Sequence, residues 1–446
     1  MGPRPAREKP SGPLVLAVIG LTLMGFNSIR VGFLPISDIV FFGLAALLWL
    51  LMLTGRVSRL SPPSLRGSSA RLLVATIVLL ALATVSSFRS WYPAESMSVV
   101  LRLGYLTILW FWIMRCISAD RRAIALLMRG WRWGVLISCG AAIVANAGLV
   151  TIGRTNPENR QAGWFYHPND LAGYIAVAIP LFVFAAPRAV TSKSRLAGVW
   201  WLATVGVSVF ALSTTGSLSA TLGAAAGIAA SSAAFLLTRR QVAGKLHPLK
   251  AMALATIAAI GLTVLFNSDV PVAERLTRYE EGDSEIAGSV GARGTLNERV
   301  INQFDELLLV GNGLDIRAQD DLRGTDSGIH NMYIKTLYEG GLIAALALVV
   351  MLIVVLQQAW KLLISMRDTD VHLDIVAVFG SAVAGMVFAL FQPMTVQRYF
   401  WMPFAVIQCF WVVRRAELRA QTRAAAGNGG VGSPMTSRSS VTRLER

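Results

Sequence analysis

The sequence is short of charge, and of the residue types from which soluble active sites are built. Only 15% of its 446 residues are Asp, Glu, Lys or Arg, where an average soluble domain carries roughly a quarter. With 54% hydrophobic residues, a water-solvated globular surface is excluded. The three cysteines, Cys116, Cys139 and Cys409, all fall inside apolar runs, so they read as small packing residues rather than as a disulfide or metal site. Of the four histidines, His247 and His372 fall in basic loops, where a solvated side chain is the default. The acidic pairs Glu281-Gly-Asp283 and Asp320-Asp321 lack metal-ligand spacing, so no metal and no cofactor is expected. Internal repeats are missing too, as is the inverted pair of broken helices that marks many secondary transporters.

What the chain has in abundance is long apolar runs. Segments near 20 residues, enough for a hydrocarbon core of roughly 30 Å, recur at about 14–29, 36–53, 71–88, 97–117, 133–152, 169–186, 197–213, 217–237, 250–267, 332–356, 373–391 and 398–413. They predict an all-α polytopic membrane protein with about twelve transmembrane helices. The first run is full length and is followed by more spans, so it is expected to stay as an anchor rather than be cleaved. A net charge of +16 could signal nucleic acid, but its placement is topological. With the N-terminus inside, most of the 41 Lys and Arg fall on inner loops, as the positive-inside rule requires. Both termini are therefore expected in the cytoplasm, with the chain in an inner (cytoplasmic) membrane.

The chain divides into nine spans over 1–267, an extracytoplasmic loop over 268–331, three spans over 332–413 and a disordered cytoplasmic tail over 414–446. The loop holds about half of the 25 acidic residues. Its stretch 280–294 is acidic and rich in Gly and Ser, which suggests mobility. Thr295-Leu-Asn-Glu298 then has the form of a capping box. The apolar positions Leu296, Val300, Ile301, Phe304, Leu307 and Leu308 follow at helical spacing, predicting an amphipathic helix over about 295–310 on the membrane surface or on the bundle. Gly311-Asn312-Gly313 ends it.

His167 and His330 both sit at the outer boundary, each at the start of a span, where a histidine serves as packing, as a helix cap or as chemistry. After His330-Asn331 the predicted helix carries Lys335 and Glu339, an i, i+4 pair that is costly at membrane depth unless it faces a wet cavity or a partner. Arg102 in the fourth span belongs to the same class, or snorkels. Arginine's rigid fork suits phosphate and diphosphate, and the outer face offers Arg154, Arg160, Arg275, Arg278, Arg293, Arg299, Arg317 and Arg323. Arg293 stands just before the capped helix, whose positive N-terminal end would also favour an anion. A solvated or salt-bridged role fits each arginine equally well.

In these residues the chain resembles the O-antigen ligase and O-antigen polymerase (Wzy-like) superfamily of membrane glycosyltransferases. His330-Asn331, nine residues, then Gly341-Leu-Ile is similar to the ligases' His-Asn pattern, with Ala344 a mild departure. Arg160-x-x-Gly163 with Pro168-Asn169-Asp-Leu-Ala172, and Arg293 followed by a helix and Gly311-Asn-Gly313, resemble two further family segments. Where the family often has Ser-Arg-Gly, this chain has Thr215-Gly216-Ser217-Leu218, so one phosphate contact is lacking or supplied elsewhere. The resemblance implies a C-type glycosyltransferase-like fold and metal-independent, inverting transfer of a glycan from a polyprenyl-diphosphate donor to an acceptor hydroxyl on a glycan or a lipid-linked acceptor. In that scheme His330 is the catalytic base. Arg160, Arg293, Arg154, Arg299, His167, Asn331, Lys335 and Glu339 form the substrate site. A transporter of a polar or anionic solute is the alternative.

Overall fold

The computed structural model describes residues 11–31, 34–54, 67–118, 120–150, 160–185, 195–238, 294–295, 297–298, 300–314, 329–367, 369 and 371–428. They form an all-helical bundle: α1 (Gly12–Leu23), α2 (Ile36–Leu53), α3 (Ser68–Ser87), α4 (Pro93–Gly104), α5 (Trp110–Ile117), α6 (Arg121–Asn146), α7 (Pro168–Val183), α8 (Arg195–Thr214), α9 (Leu218–Thr238), α10 (Met332–Gly340), α11 (Leu342–Ser365), α12 (His372–Phe388) and α13 (Arg398–Asn428). The only strands described are the two-residue pair Arg30–Val31 and Leu34–Pro35. A π turn over Tyr105–Leu109 joins α4 and α5 into one continuous helix.

Among the described residues six helices are long and apolar enough to cross a membrane, and three shorter apolar helices accompany them. Large apolar side chains point away from the protein: Trp49 and Leu53 on α2, Leu196, Val199 and Leu202 on α8, Leu346 and Ile353 on α11. Such faces are stable against lipid tails and not against water. Inside, α7 is buried on nearly every residue, with α6, α8, α9, α12 and α13 around it. Lipid supplies no hydrophobic drive for helix association, so close backbone approach matters instead. Gly223, Gly227 and Ser231 of α9, four residues apart, meet Gly380, Ala384 and Phe388 of α12, where an added Cβ would collide. Polar side chains reinforce the bundle at Ser68 of α3, whose hydroxyl receives Gln358 Nε2 of α11 at 3.1 Å.

Eleven of the twelve predicted runs overlap these helices, and the run at 250–267 lies outside the described residues. Three boundaries need correction. The predicted span 332–356 is two helices, because Gly341 turns to φ 84° between α10 and α11, a conformation open to glycine and strained for other residues. The membrane-length helix is thus Leu342–Ser365, and Lys335 and Glu339 belong to the short helix before it. The fifth run starts earlier, at Arg121. The last helix does not give way to disorder at residue 414 but continues to Asn428, through strong helix formers such as Ala416, Glu417, Leu418 and Arg419. Arg121 braces that extension, its Nε and Nη2 donating to the two Glu417 carboxylate oxygens at 2.7 and 2.8 Å. Burial alone would raise the Glu417 carboxyl, but Arg121 and Arg414 outweigh it and hold it below its ordinary value.

His372 is likewise not a solvated loop side chain. It is fully buried at the start of α12, against the Phe235 ring and with Nε2 3.2 Å from the Thr238 hydroxyl of α9.

Candidate functional site

One end of the bundle gathers the described polar side chains that the sequence assigns to the outer face. The central helix α7 begins there. His167 is its N-cap, with Nδ1 accepting the Asn169 amide at 3.1 Å, which realises the capping role open to it in the sequence. Arg160 is almost completely buried beside it, Nε donating to the Thr215 carbonyl at 2.7 Å and Nη2 to Asn169 Oδ1 at 2.6 Å. Arg160 therefore meets the Thr215-Gly216-Ser217 turn, which stands where the family often carries its own arginine. In front of it Arg30 lies over the Tyr166 ring at 4.3 Å, while Phe26 stacks on Trp164.

A buried ionic network adjoins this segment. Arg398, the first residue of α13, forms a bidentate pair with Asp38 of α2, and its Nη1 donates to Asn27 Oδ1 at 3.1 Å. The Tyr105 hydroxyl, at the start of the π turn, donates to Asp38 at 3.0 Å. On either side of Arg398 in sequence, Gln397 and Tyr399 both donate to Asp170, at 3.1 and 3.4 Å. Arg102 lies close enough to Asp38, Asp170, Arg30 and Arg398 to interact with their charges. Three arginines and two aspartates thus share this end of the bundle, Arg398 and Asp38 buried and Arg30 exposed, and the excess of positive charge favours an anion.

The His330 region joins the same end through the connection between α12 and α13. The Met332 amide donates to the Ala389 carbonyl at 2.9 Å and the Tyr333 hydroxyl to the Met386 carbonyl at 3.1 Å. Asn331 is the N-cap of α10, its Oδ1 receiving the Tyr333 and Ile334 amides at 2.9 and 3.1 Å. The motif's asparagine thereby fixes where the chain leaves His330. Lys335 and Glu339 satisfy each other, Nζ to Oε1 at 3.3 Å. Glu339 is buried, and with Thr336 and Thr395 it borders a narrow crevice between α3, α4, α10 and α11.

The far end of α10 is locked by the glycine motif. Asn312 and Gly313 amides donate to the Tyr338 and Glu339 carbonyls at 2.9 and 3.0 Å. Gly311 and Leu314 amides reach the Ser86 and Ser96 hydroxyls at 3.1 and 2.7 Å. A Cβ on Gly311 would strike the Glu339 backbone, so the motif is a packing device as well as a helix stop. Before it, the predicted loop helix is helical around residues 300–302 and tightens into a 3₁₀ turn at Phe304–Leu307. Val300 and Leu307 pack with Ile329 and Tyr338, seating it on α10.

Arg154, Arg293 and Arg299, with the acidic stretch 280–293, lie outside the described residues. Asp38, Arg398, Tyr105, Asp170 and Tyr399 had not been singled out from the sequence. An Asp two residues into a predicted span and an Arg opening another are the signals that could have found them, since ionisable groups at membrane depth seldom lack a purpose. Among the described residues no three of His, Cys, Asp and Glu come together in a form able to hold a metal ion.

No curated protein matches this chain. A family model does: residues 202–349, from α8 through the start of α11 and including His330-Asn331, Gly311-Asn-Gly313 and Gly341, match that of the O-antigen ligases. This segment, set in a helical membrane bundle, is where the chain is similar to the O-antigen ligase and Wzy-like superfamily.

Proposed function

We propose that the protein transfers a glycan from a polyprenyl-diphosphate donor to an acceptor hydroxyl at the outer face of the inner membrane. The observation that carries this reading is the placement of His330. It precedes an asparagine-capped helix, within the matched segment, at the same bundle end as the Arg30–Arg102–Arg398 cluster. His330 acts as general base on the acceptor hydroxyl, since imidazole can take up a proton near neutral pH. The hydroxyl oxygen attacks the anomeric carbon with inversion, and the sugar–phosphate bond breaks to release polyprenyl diphosphate. Arg160 and Arg293, with Arg154 and Arg299, hold the diphosphate and stabilise the charge that develops as it departs. Lys335, Glu339, His167 and Asn331 shape the pocket around them.

The test is transfer in liposomes from a defined polyprenyl-diphosphate glycan. Transfer to a lipid-linked or glycan acceptor defines a ligase and a polymer ladder a polymerase. Absence of both, with the substrate instead crossing the bilayer, would favour a transporter. Chelation is expected to leave turnover largely intact, because arginines supply the charge stabilisation. Activity lost in EDTA and restored by magnesium or manganese would move that role to Glu281 and Asp283.

The topology behind this reading places both termini in the cytoplasm and 268–331 outside. A cysteine introduced at Ser284 should react with a membrane-impermeant thiol reagent in intact cells, while one introduced at Ser440 should not. The opposite pattern would invert the protein and remove the site from the face where such donors are presented.

A further inference from the structure

At the opposite end of the bundle, α6, α7 and α8 enclose a cleft of about 380 Å³ lined by Arg129, Arg132, Trp133, Phe182, Trp200 and Trp201. A second cleft of about 270 Å³ shares Trp133 and Trp200 with it and runs between α6 and α8 past Ile137, Ala203 and Val207. The lining changes along this path from cationic to apolar, with Thr204 the one hydroxyl. Arg132 lies 3.9 Å from Asp374, at the start of α12, which fixes the depth as that of the helix ends. Arg129 is exposed on α6, and no carboxylate among the described residues pairs with it. Trp133 and Trp200, about half exposed, tilt against each other at 6.0 Å. Trp201 is held in place by its Nε1–H donation to the Phe182 carbonyl at 2.8 Å.

We infer that this groove binds an anionic phospholipid, its phosphate on Arg129 and Arg132 and an acyl chain in the apolar cleft between α6 and α8. Charge complementarity argues for the headgroup, because arginine forks bind phosphate bidentately and basic pockets between helices at the cytoplasmic boundary suit acidic lipids. The paired tryptophans argue for the depth, since indole favours the membrane interface. The apolar continuation argues against a free anion, which has no use for Ile137 and Val207. Lipid binding here requires nothing of the transfer reaction at the other end, so the two stand or fall separately.

The full-length protein in detergent, titrated with phosphatidylglycerol, phosphatidylcholine or inorganic phosphate, tests this by native mass spectrometry and thermal melting. Phosphatidylglycerol should be retained and raise the Tm, with phosphatidylcholine weaker and inorganic phosphate without effect. Arg129→Ala should weaken phosphatidylglycerol retention on the order of fivefold, the worth of about one interfacial cation, while its Tm without lipid stays at the parent value. Arg122→Ala, equally exposed on α6 but outside the groove, should retain the lipid normally. Equal weakening by Arg122→Ala would reduce the effect to diffuse surface attraction and overturn the site. So would equal retention of phosphatidylcholine, or stabilisation by inorganic phosphate alone.

Discussion

Replacing His330 with Ala should cut glycan transfer by about 10²- to 10⁴-fold, the usual consequence of removing a general base, while the protein remains folded and still binds its donor. The fold should survive because the neighbouring order rests on other groups. Asn331 supplies the α10 cap, the backbone of Met332 makes the tie to Ala389, and Gly311-Asn-Gly313 locks the other end. On the proposed mechanism donor binding should survive, because it would rest on the arginines, whereas the imidazole would act on the acceptor's proton. Arg160→Ala and Arg293→Ala should instead weaken donor binding together with turnover, since each would lose contact with a charge already present in the ground state. Arg160→Ala should also lower the melting temperature, because Arg160 is the donor to Thr215 and Asn169. The checks are single-turnover transfer and donor binding in the same liposome preparation. Near-normal transfer by His330→Ala would return this histidine to a packing role and remove the base from the mechanism.

The helices were legible in the sequence because lipid leaves the chain little choice: every backbone polar group must be satisfied within its own segment, so each long apolar run becomes a helix. Where the runs misled, a local rule gave way to packing. The break at Gly341 is invisible to hydropathy, since the residues after it are as apolar as any span. It follows from the Gly311–Gly313 backbone occupying the space beside Glu339 and Gly340. The early start of α6 was hidden by Arg121, Arg122, Arg129 and Arg132, which lower the hydropathy of a helix that the Asp120 cap begins. His372 read as solvated because its loop is basic, yet Phe235 and Thr238 of α9 enclose it. In the site, His330, Asn331, Lys335 and Glu339 were legible because they share one short segment. The Asp38–Arg398 pair was not, because its members stand 360 residues apart and each alone resembles a boundary charge.

That pair carries the largest expected effect on stability. Asp38→Ala would leave Arg398 buried with Asn27 as its remaining described partner, and stranding one member of a buried ion pair costs about 3–5 kcal/mol. Against a total stability of about 5–15 kcal/mol, the variant should melt markedly lower than the parent and lose its monodisperse state in detergent sooner on warming. Removing both charges, as in Asp38→Leu with Arg398→Met, should recover much of the stability, since apolar residues of similar volume often replace a buried pair at little cost. Turnover should not recover with it. Arg398 is one of the three arginines around Asp38 and Asp170, and Gln397 and Tyr399 on either side of it donate to Asp170, so the double variant loses part of the positive charge on which the proposed diphosphate site would draw. Melting curves for the two single variants and the double variant, taken beside transfer rates, separate these contributions. Asp38→Ala melting within about a degree of the parent would mean that water already solvates Arg398, and the network would then be a wet surface feature rather than a buried support for the site.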